Sequence, residues 1–219
     1  MKKYNFIFDF DSTILKYETI EILADFALVN NTKKEIILTE IKHMTKLAMN
    51  GEMSYSKALE KRISLMNLNK SHINNTILYL QNKLSDSFYD NIENFSKIID
   101  NTYVVSGGFK EIIIPLLTPF GFKEDNIFAN SFITNNDNDL SIDMNNSLSK
   151  DKGKIIVTEK INGRKIIIGD GYTDYELKKF GLANTFILFT ENVHRKNLSE
   201  KADLIAQNFN EVFNYINNE

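Results

Sequence analysis

The chain has 219 residues, 42% of them hydrophobic and 11% aromatic, which is enough to build a packed core and argues against disorder. Its 26 Lys and Arg against 29 Asp and Glu leave a net charge of −3, without the basic excess that nucleic-acid binding wants. It contains no cysteine, which excludes disulfides, thiol catalysis and cysteine-ligated metals.

Met1-Lys2-Lys3 followed by "YNFIF" has the basic start of a signal, but the apolar run stops at Asp9, too short for a signal core or a membrane span. The expectation is a cytoplasmic protein with neither membrane nor nucleic acid as partner. "YNFIFD", Tyr4 to Asp9, predicts a central strand. From about Leu15 to Ser71, apolar residues recur at helical spacing in "YETIEILADFAL", "KKEIILTEIKHMTKLAM" and "SYSKALEKRISLMNL". "FYDNIENFSKII" reads as a helix feeding a second strand, "NTYVVS", followed at once by "GG" and the amphipathic "FKEIIIPLL". "DNIFANSFI" and "DLSIDM" flank the polar "TNNDN" and read as a hairpin. A helix near Lys152–Glu159, strands at Arg164–Asp170 and "NTFILF", and a closing helix in "AQNFNEVFNYI" complete the order. Strands alternating with helices predict an α/β fold with a parallel sheet. Residues 15–71 read as a helical cap inserted into a catalytic core formed by 1–14 and 72–219.

Ligands of open parallel sheets bind at the carboxyl ends of the strands, and the chemically notable residues fall there. The first strand ends on Asp9 and Asp11, the second on Ser106-Gly107-Gly108, and a later one on "GDGYTD" with Asp170 and Asp174. Lys152 stands at a helix start in "SKDKGKIIV", flanked by Lys150 and Lys154. Singly, each has a commonplace reading: a solvated turn, an N-cap, a lysine-rich surface. Jointly they converge on one edge of the sheet. Four carboxylates gathered there would repel one another without a cation, and oxygen-only ligands select a hard ion, Mg²⁺. Lys152, the Ser106 hydroxyl and the backbone N–H groups after "SGG" suit phosphoryl oxygens. Glycines at 107 and 108 allow close backbone approach. The chemistry suggested is phosphoryl transfer to a carboxylate nucleophile.

In that order, "DFDST", "SGG", a helix-starting lysine and "GDGYTD" resemble the four motifs of the haloacid dehalogenase superfamily, and "VVSGGF" with "KGK" resembles its phosphoserine phosphatase-like branch. The resemblance spans most of the chain and implies a Rossmann-like parallel-sheet core of the haloacid dehalogenase type with an inserted helical cap. It implies Asp9 as nucleophile, Asp11 as acid and base, Ser106 and Lys152 on the phosphoryl group, and Mg²⁺ held by Asp9, the Asp11 carbonyl and Asp170 with Asp174 in support. Two carboxylates with opposed tasks titrate as a coupled pair.

The same resemblance places Glu18, Met49, Tyr55 and Arg62 on the substrate, with Gly107 and Thr173. Arg62 is one of three arginines in a lysine-rich chain and could fork onto a carboxylate, while Glu18 suits an ammonium. The implied activity is Mg²⁺-dependent hydrolysis of L-phosphoserine, as in serine biosynthesis, through an aspartyl-phosphate; the alternative is another small amino-alcohol or metabolite phosphate. Tyr172 stands where that branch usually has a small residue. A non-catalytic phospho-binding module would need a damaged motif set, and a dehalogenase would not need Asp11. His43, His72 and His194 are scattered and suggest no site.

Overall fold

The structure, a computed structural model, describes residues 4–135 and 139–218. Its first strand, β1 (Tyr4–Phe8), is followed by four helices: α1 (Thr19–Ala27), α2 (Lys34–Met49), α3 (Tyr55–Ser64) and α4 (Lys70–Leu80), with the two-residue β2 (Leu68–Asn69) before the last. Short helices α5 (Asp86–Asp90) and α6 (Ile92–Ile98) lead to β3 (Thr102–Phe109) and α7 (Lys110–Leu117). Then come β4 (Ile127–Asn130), β5 (Phe132–Thr134), β6 (Asp139–Ile142), α8 (Gly153–Thr158) and β7 (Arg164–Gly169). The chain closes with α9 (Tyr172–Lys179), β8 (Thr185–Phe189), β9 (Leu204–Ala206) and α10 (Phe209–Asn218).

Six strands form one sheet in the order β4-β3-β1-β7-β8-β9, each neighbouring pair parallel. The period-2 rule explains how it is covered. Phe6, Phe8, Val104, Ile166, Ile168, Ile187 and Phe189 enter one apolar cluster, whereas Ile7, Val105, Ile167, Phe186 and Leu188 enter the other. Both faces are therefore buried, which is why the strands read as continuous apolar runs. On the first face Phe8, Phe88, Phe95 and Phe209 pack with ring centroids 4.8 to 6.3 Å apart.

The chain leaves and returns to this core at one place. Leu15 and Leu84 form an antiparallel bridge, the Lys16 N–H donates to Lys83 O at 3.1 Å, and the Ser85 N–H donates to Ile14 O at 2.8 Å. Helices α1 to α4 lie between these points, and α4 runs across position 71. Asn69 caps α4 by accepting from the His72 N–H at 3.1 Å, while its own N–H donates to His72 Nδ1 at 3.3 Å. That gives one of the three histidines a structural task.

The expected hairpin is corrected in part. "IFAN" is the parallel edge strand β4, paired with β3; only Phe132–Thr134 pairs antiparallel with β6, and β2 joins β6 in this small second sheet. The last three residues of "TNNDN", 136–138, lie outside the described residues, as do residues 1–3 and 219. No described helix is long and apolar enough to cross a membrane.

Candidate active site

β1 lies between β3 and β7, so three strand ends open side by side. Asp9 follows β1 directly. Its N–H donates to Ile168 O at 2.9 Å, extending the ladder by one step, and its carboxylate accepts from the Phe10 N–H at 2.8 Å. The chain then folds back on itself, the Leu15 N–H reaching Phe10 O at 2.8 Å. Ser12 pivots this turn with φ at 55°, a left-handed value uncommon outside glycine. Asn192 Nδ2 holds the Ser12 carbonyl at 3.2 Å, and the Ser12 hydroxyl donates to Glu18 Oε1 at 2.8 Å. The turn brings Asp11 beside Asp9, where its carboxylate accepts a short hydrogen bond from the Thr19 hydroxyl.

One carboxylate oxygen each from Asp9, Asp170 and Asp174 lies within 4.8 Å of the others, all three residues buried. Two cations offset them. Lys154 Nζ stands 3.0 Å from Asp9 Oδ1 and 2.6 Å from Asp174 Oδ1. Arg195 places Nη2 at 2.8 Å from Asp170 Oδ2, with Nε at 2.9 Å from the same oxygen and Nη2 at 3.5 Å from Glu18 Oε1. Burial raises Asp170 well above the usual carboxylate range despite Arg195. Burial, with Asp9 adding to it, pushes Asp174 up to about 7 against the pull of Lys154. Burial opposes the charge on Lys154, but Asp174 and Asp9 outweigh it and raise its pKa. With every carboxyl ionised, two cations against three buried carboxylates, with Asp11 and Glu18 adjacent, would leave the cluster anionic, the state that a bound cation favours. An oxygen-only, dehydrated and anionic trio fits a hard divalent cation. The Asp11 side chain is outside that trio, being turned to Thr19.

β3 supplies the next wall. Its register with β4 shifts between Val105 and Phe109, so Ser106, Gly107 and Gly108 form an irregular step at the sheet edge. The Ser106 hydroxyl accepts from the Gly108 N–H at 3.0 Å. A Cβ on Gly107 would stand 2.8 Å from the Tyr55 hydroxyl oxygen; without one, that hydroxyl donates to Gly107 O at 2.9 Å. Asn130 Nδ2 donates both to the Tyr55 hydroxyl and to Gly107 O, at 2.9 and 2.8 Å.

A cavity of about 300 Å³ joins these walls to the helical block. Asp9, Asp11, Ser106, Gly107 and Lys154 line it from the core; Glu18, just before α1, and Met49, Tyr55 and Arg62 of α2 and α3 line it from the helical block; Thr173 lines it from α9. Arg62 is 2% exposed. It donates from Nε to Ala58 O at 3.1 Å and from Nη1 to Thr45 Oγ1 at 2.9 Å, and pairs with no carboxylate among the described residues. Burial lowers its pKa, with Tyr55, Glu18 and Asp11 opposing. Asp11 is perturbed too: burial, then Glu18, holds its carboxyl well above the ordinary range. Tyr172 also lines the cavity, its ring laid over Gly51, where a Cβ would stand 2.8 Å from Cγ. Gly51 has φ at 78°, so glycine there answers both demands.

The structure thus brings together Asp9, Asp11, Glu18, Met49, Tyr55, Arg62, Ser106, Gly107 and Thr173, with Asp170 and Asp174 beside Asp9. Lys152 also lines the cavity, but at its rim and away from the carboxylates. Its backbone is left-handed, φ 56°, and its ammonium lies 5.5 Å from the Phe180 ring centroid at the exposed rim. α8 begins only at Gly153, whose missing Cβ leaves Ser147 O room at what would be 2.4 Å, so Lys154 is the lysine turned onto the carboxylates. Arg195 was readable only as a rare arginine; nothing local announces a partner 177 positions away at Glu18.

The family model for haloacid dehalogenase-like hydrolases matches residues 6–179. Phosphoserine phosphatase of Methanocaldococcus jannaschii is 29% identical over 227 residues, covering 98% of each chain. A phosphoserine phosphohydrolase-like protein of Francisella tularensis superposes with a TM-score of 0.88 at 30% identity, covering 98% of this chain and 100% of its own. A structure described as a phospho-aspartyl intermediate analogue of phosphoserine phosphatase superposes with a TM-score of 0.78 at 28% identity, covering 98% and 99%. With its parallel core, helical insertion and buried acidic strand ends, the chain belongs to the haloacid dehalogenase-like hydrolases, as a phosphatase of their phosphoserine phosphatase-like branch.

Proposed function

We propose that the protein is an L-phosphoserine phosphatase that works through an aspartyl-phosphate on Asp9. The observation that carries the substrate is Arg62: a buried guanidinium without a carboxylate partner among the described residues lines the same cavity as Asp9 and Asp11. Such a charge is costly unless a ligand completes it, and a carboxylate fits its fork. Glu18, across from the apolar Met49, suits the ammonium of the same amino acid.

Asp9 attacks phosphorus, forming a new P–O bond as the bond to the serine oxygen breaks. Asp11, whose raised pKa keeps a proton available, gives that proton to the departing oxygen. It then takes a proton from the water that attacks phosphorus and breaks the acyl phosphate. Lys154, the Ser106 hydroxyl and the Gly107 and Gly108 backbone hold the phosphoryl oxygens. Asp9, Asp170 and the Asp11 carbonyl would hold Mg²⁺, with Asp174 in support; when bound, that ion neutralises charge on the phosphoryl group. Helices α1 to α4 act as the cap that carries recognition.

Phosphate release from a panel of small phosphomonoesters, with Mg²⁺ and with EDTA, tests this reading beside Asp9→Asn. A sharp preference for L-phosphoserine, lost with EDTA and in the variant, is expected. Metal-dependent turnover of a different ester, with phosphoserine inert, would transfer the mechanism to another amino-alcohol or metabolite phosphate, and Tyr172 in the cavity wall gives that second reading its footing.

A further inference from the structure

α3 carries both Tyr55 and Arg62, and its start is moored to the core by a residue outside all four motifs. Asp151 Oδ1 accepts from the Ser56 N–H at 2.9 Å, and both Asp151 oxygens stand 3.0 Å from the Ser54 hydroxyl. These bonds join positions 95 to 97 apart in sequence, from the helical block to the loop that precedes α8. Ser54 is the N-cap of α3, but its hydroxyl is a long 3.4 Å from the Lys57 N–H and gives its proton to Asp151. The carboxylate therefore serves the orphan donors of this helix end from across the domain boundary. The loop behind it is set: the Lys150 N–H donates to Ser147 O and the Gly153 N–H to Lys150 O, both at 3.1 Å, and Gly153 has no room for a Cβ. Three residues after Asp151 stands Lys154, on Asp9.

We infer that Asp151 is a positioning residue: it fixes the first turn of α3 against the lysine loop, so that Tyr55 and Arg62 are held over the carboxylates in one arrangement. Resting on the reading above, this makes Asp151, which stands at the rim of the same cavity, a determinant of substrate selection that acts through α3. Two bonds to a charged acceptor at a helix start order that turn, and their loss frees the recognition helix without altering the carboxylate cluster.

Amide hydrogen exchange of the segment spanning 54–58 and steady-state kinetics are measured on wild type, Asp151→Ala and Asp151→Asn. In Asp151→Ala, exchange of the Ser56 amide is expected to rise at least about tenfold, the size of one lost charged-acceptor hydrogen bond. KM for L-phosphoserine is expected to rise about tenfold while kcat/KM for an aryl phosphate, which has no carboxylate for Arg62, stays within about twofold. Asp151→Asn, which keeps one acceptor for the Ser56 N–H, is expected to recover most of both effects. Unchanged exchange in Asp151→Ala would overturn the inference, as would equal losses on both esters. If wild type ignores phosphoserine, the functional reading fails while the exchange result still decides whether Asp151 holds α3.

Discussion

Lys154 and Asp174 form an enclosed ion pair at 2.6 Å whose ammonium also touches Asp9 at 3.0 Å, so one cation spans the proposed nucleophile and a carboxylate of the candidate metal trio. Removing it leaves two buried carboxylates facing each other. Lys154→Met is expected to lower kcat by about 10²- to 10⁴-fold, the range for loss of preorganised charge at a reacting phosphoryl group. Lys152→Ala, at the exposed rim, is expected to stay within about threefold of wild type by the same measure. Reversed effects would return the motif role to Lys152.

Asp9→Asn keeps the shape of the site and removes the proposed nucleophile. Brief incubation with ³²P-labelled substrate followed by acid quench is expected to label wild type and leave the variant unlabelled. Label retained in the variant would place the nucleophile elsewhere.

Arg62→Ala removes a buried guanidinium whose own bonds, to Ala58 O and Thr45 Oγ1, are to neutral acceptors. KM for L-phosphoserine is expected to rise about 10²-fold, near the energy of a charge-assisted bidentate pair, with little change on an aryl phosphate. Equal changes on both esters would make Arg62 a packing residue.

Metal loading is separable from turnover. If Asp9, Asp170 and Asp174 hold the ion, Mg²⁺ at a hundredfold excess over its Kd stabilises the fold by about 2.7 kcal/mol, several degrees in Tm. Asp170→Asn is expected to lose most of that shift in a thermal scan with and without Mg²⁺. A shift undiminished in the variant would move the ion off this trio.

Glu21 gives a pH signature on the cap. Burial, with Glu18 adding to it, raises its carboxyl from 4.5 to about 7, against Lys42, Arg62 and Arg195. The folded state thus keeps the proton where the unfolded chain has lost it. That contribution is complete below pH 4.5 and is lost as pH rises through 7. Glu21→Gln is therefore expected to match wild-type Tm below pH 4.5 and to exceed it by a few degrees at about pH 8. A constant difference across that range would discount the titration.

Much of this was legible in the chain. The alternating clusters of β1, β3, β7 and β8 follow from continuous β-branched and aromatic runs, and the acidic strand ends follow from motif spacing. What failed did so for physical reasons. "NIFAN" has the composition of a strand, yet nothing local says that its partner is β3, parallel and distant, rather than the neighbouring "DLSIDM". Lys152 and Lys154 differ by two positions and both line the cavity, and nothing local says that Lys154 is the one that reaches Asp9 and Asp174. Arg195 reaches Asp170 and Glu18 through folding alone, and Asp151 reaches Ser54 in the same way.

The Tyr172 ring over Gly51 has a consequence for exchanging parts between relatives. The acidic loop and the turn between α2 and α3 behave as matched halves of one mould, because the face of one is cast against the bare backbone of the other. Grafting an alanine-bearing acidic loop alone would open a void in the mouth, and giving the turn a side chain alone would push the ring off its seat. A chimera of this protein should take both pieces from the same donor.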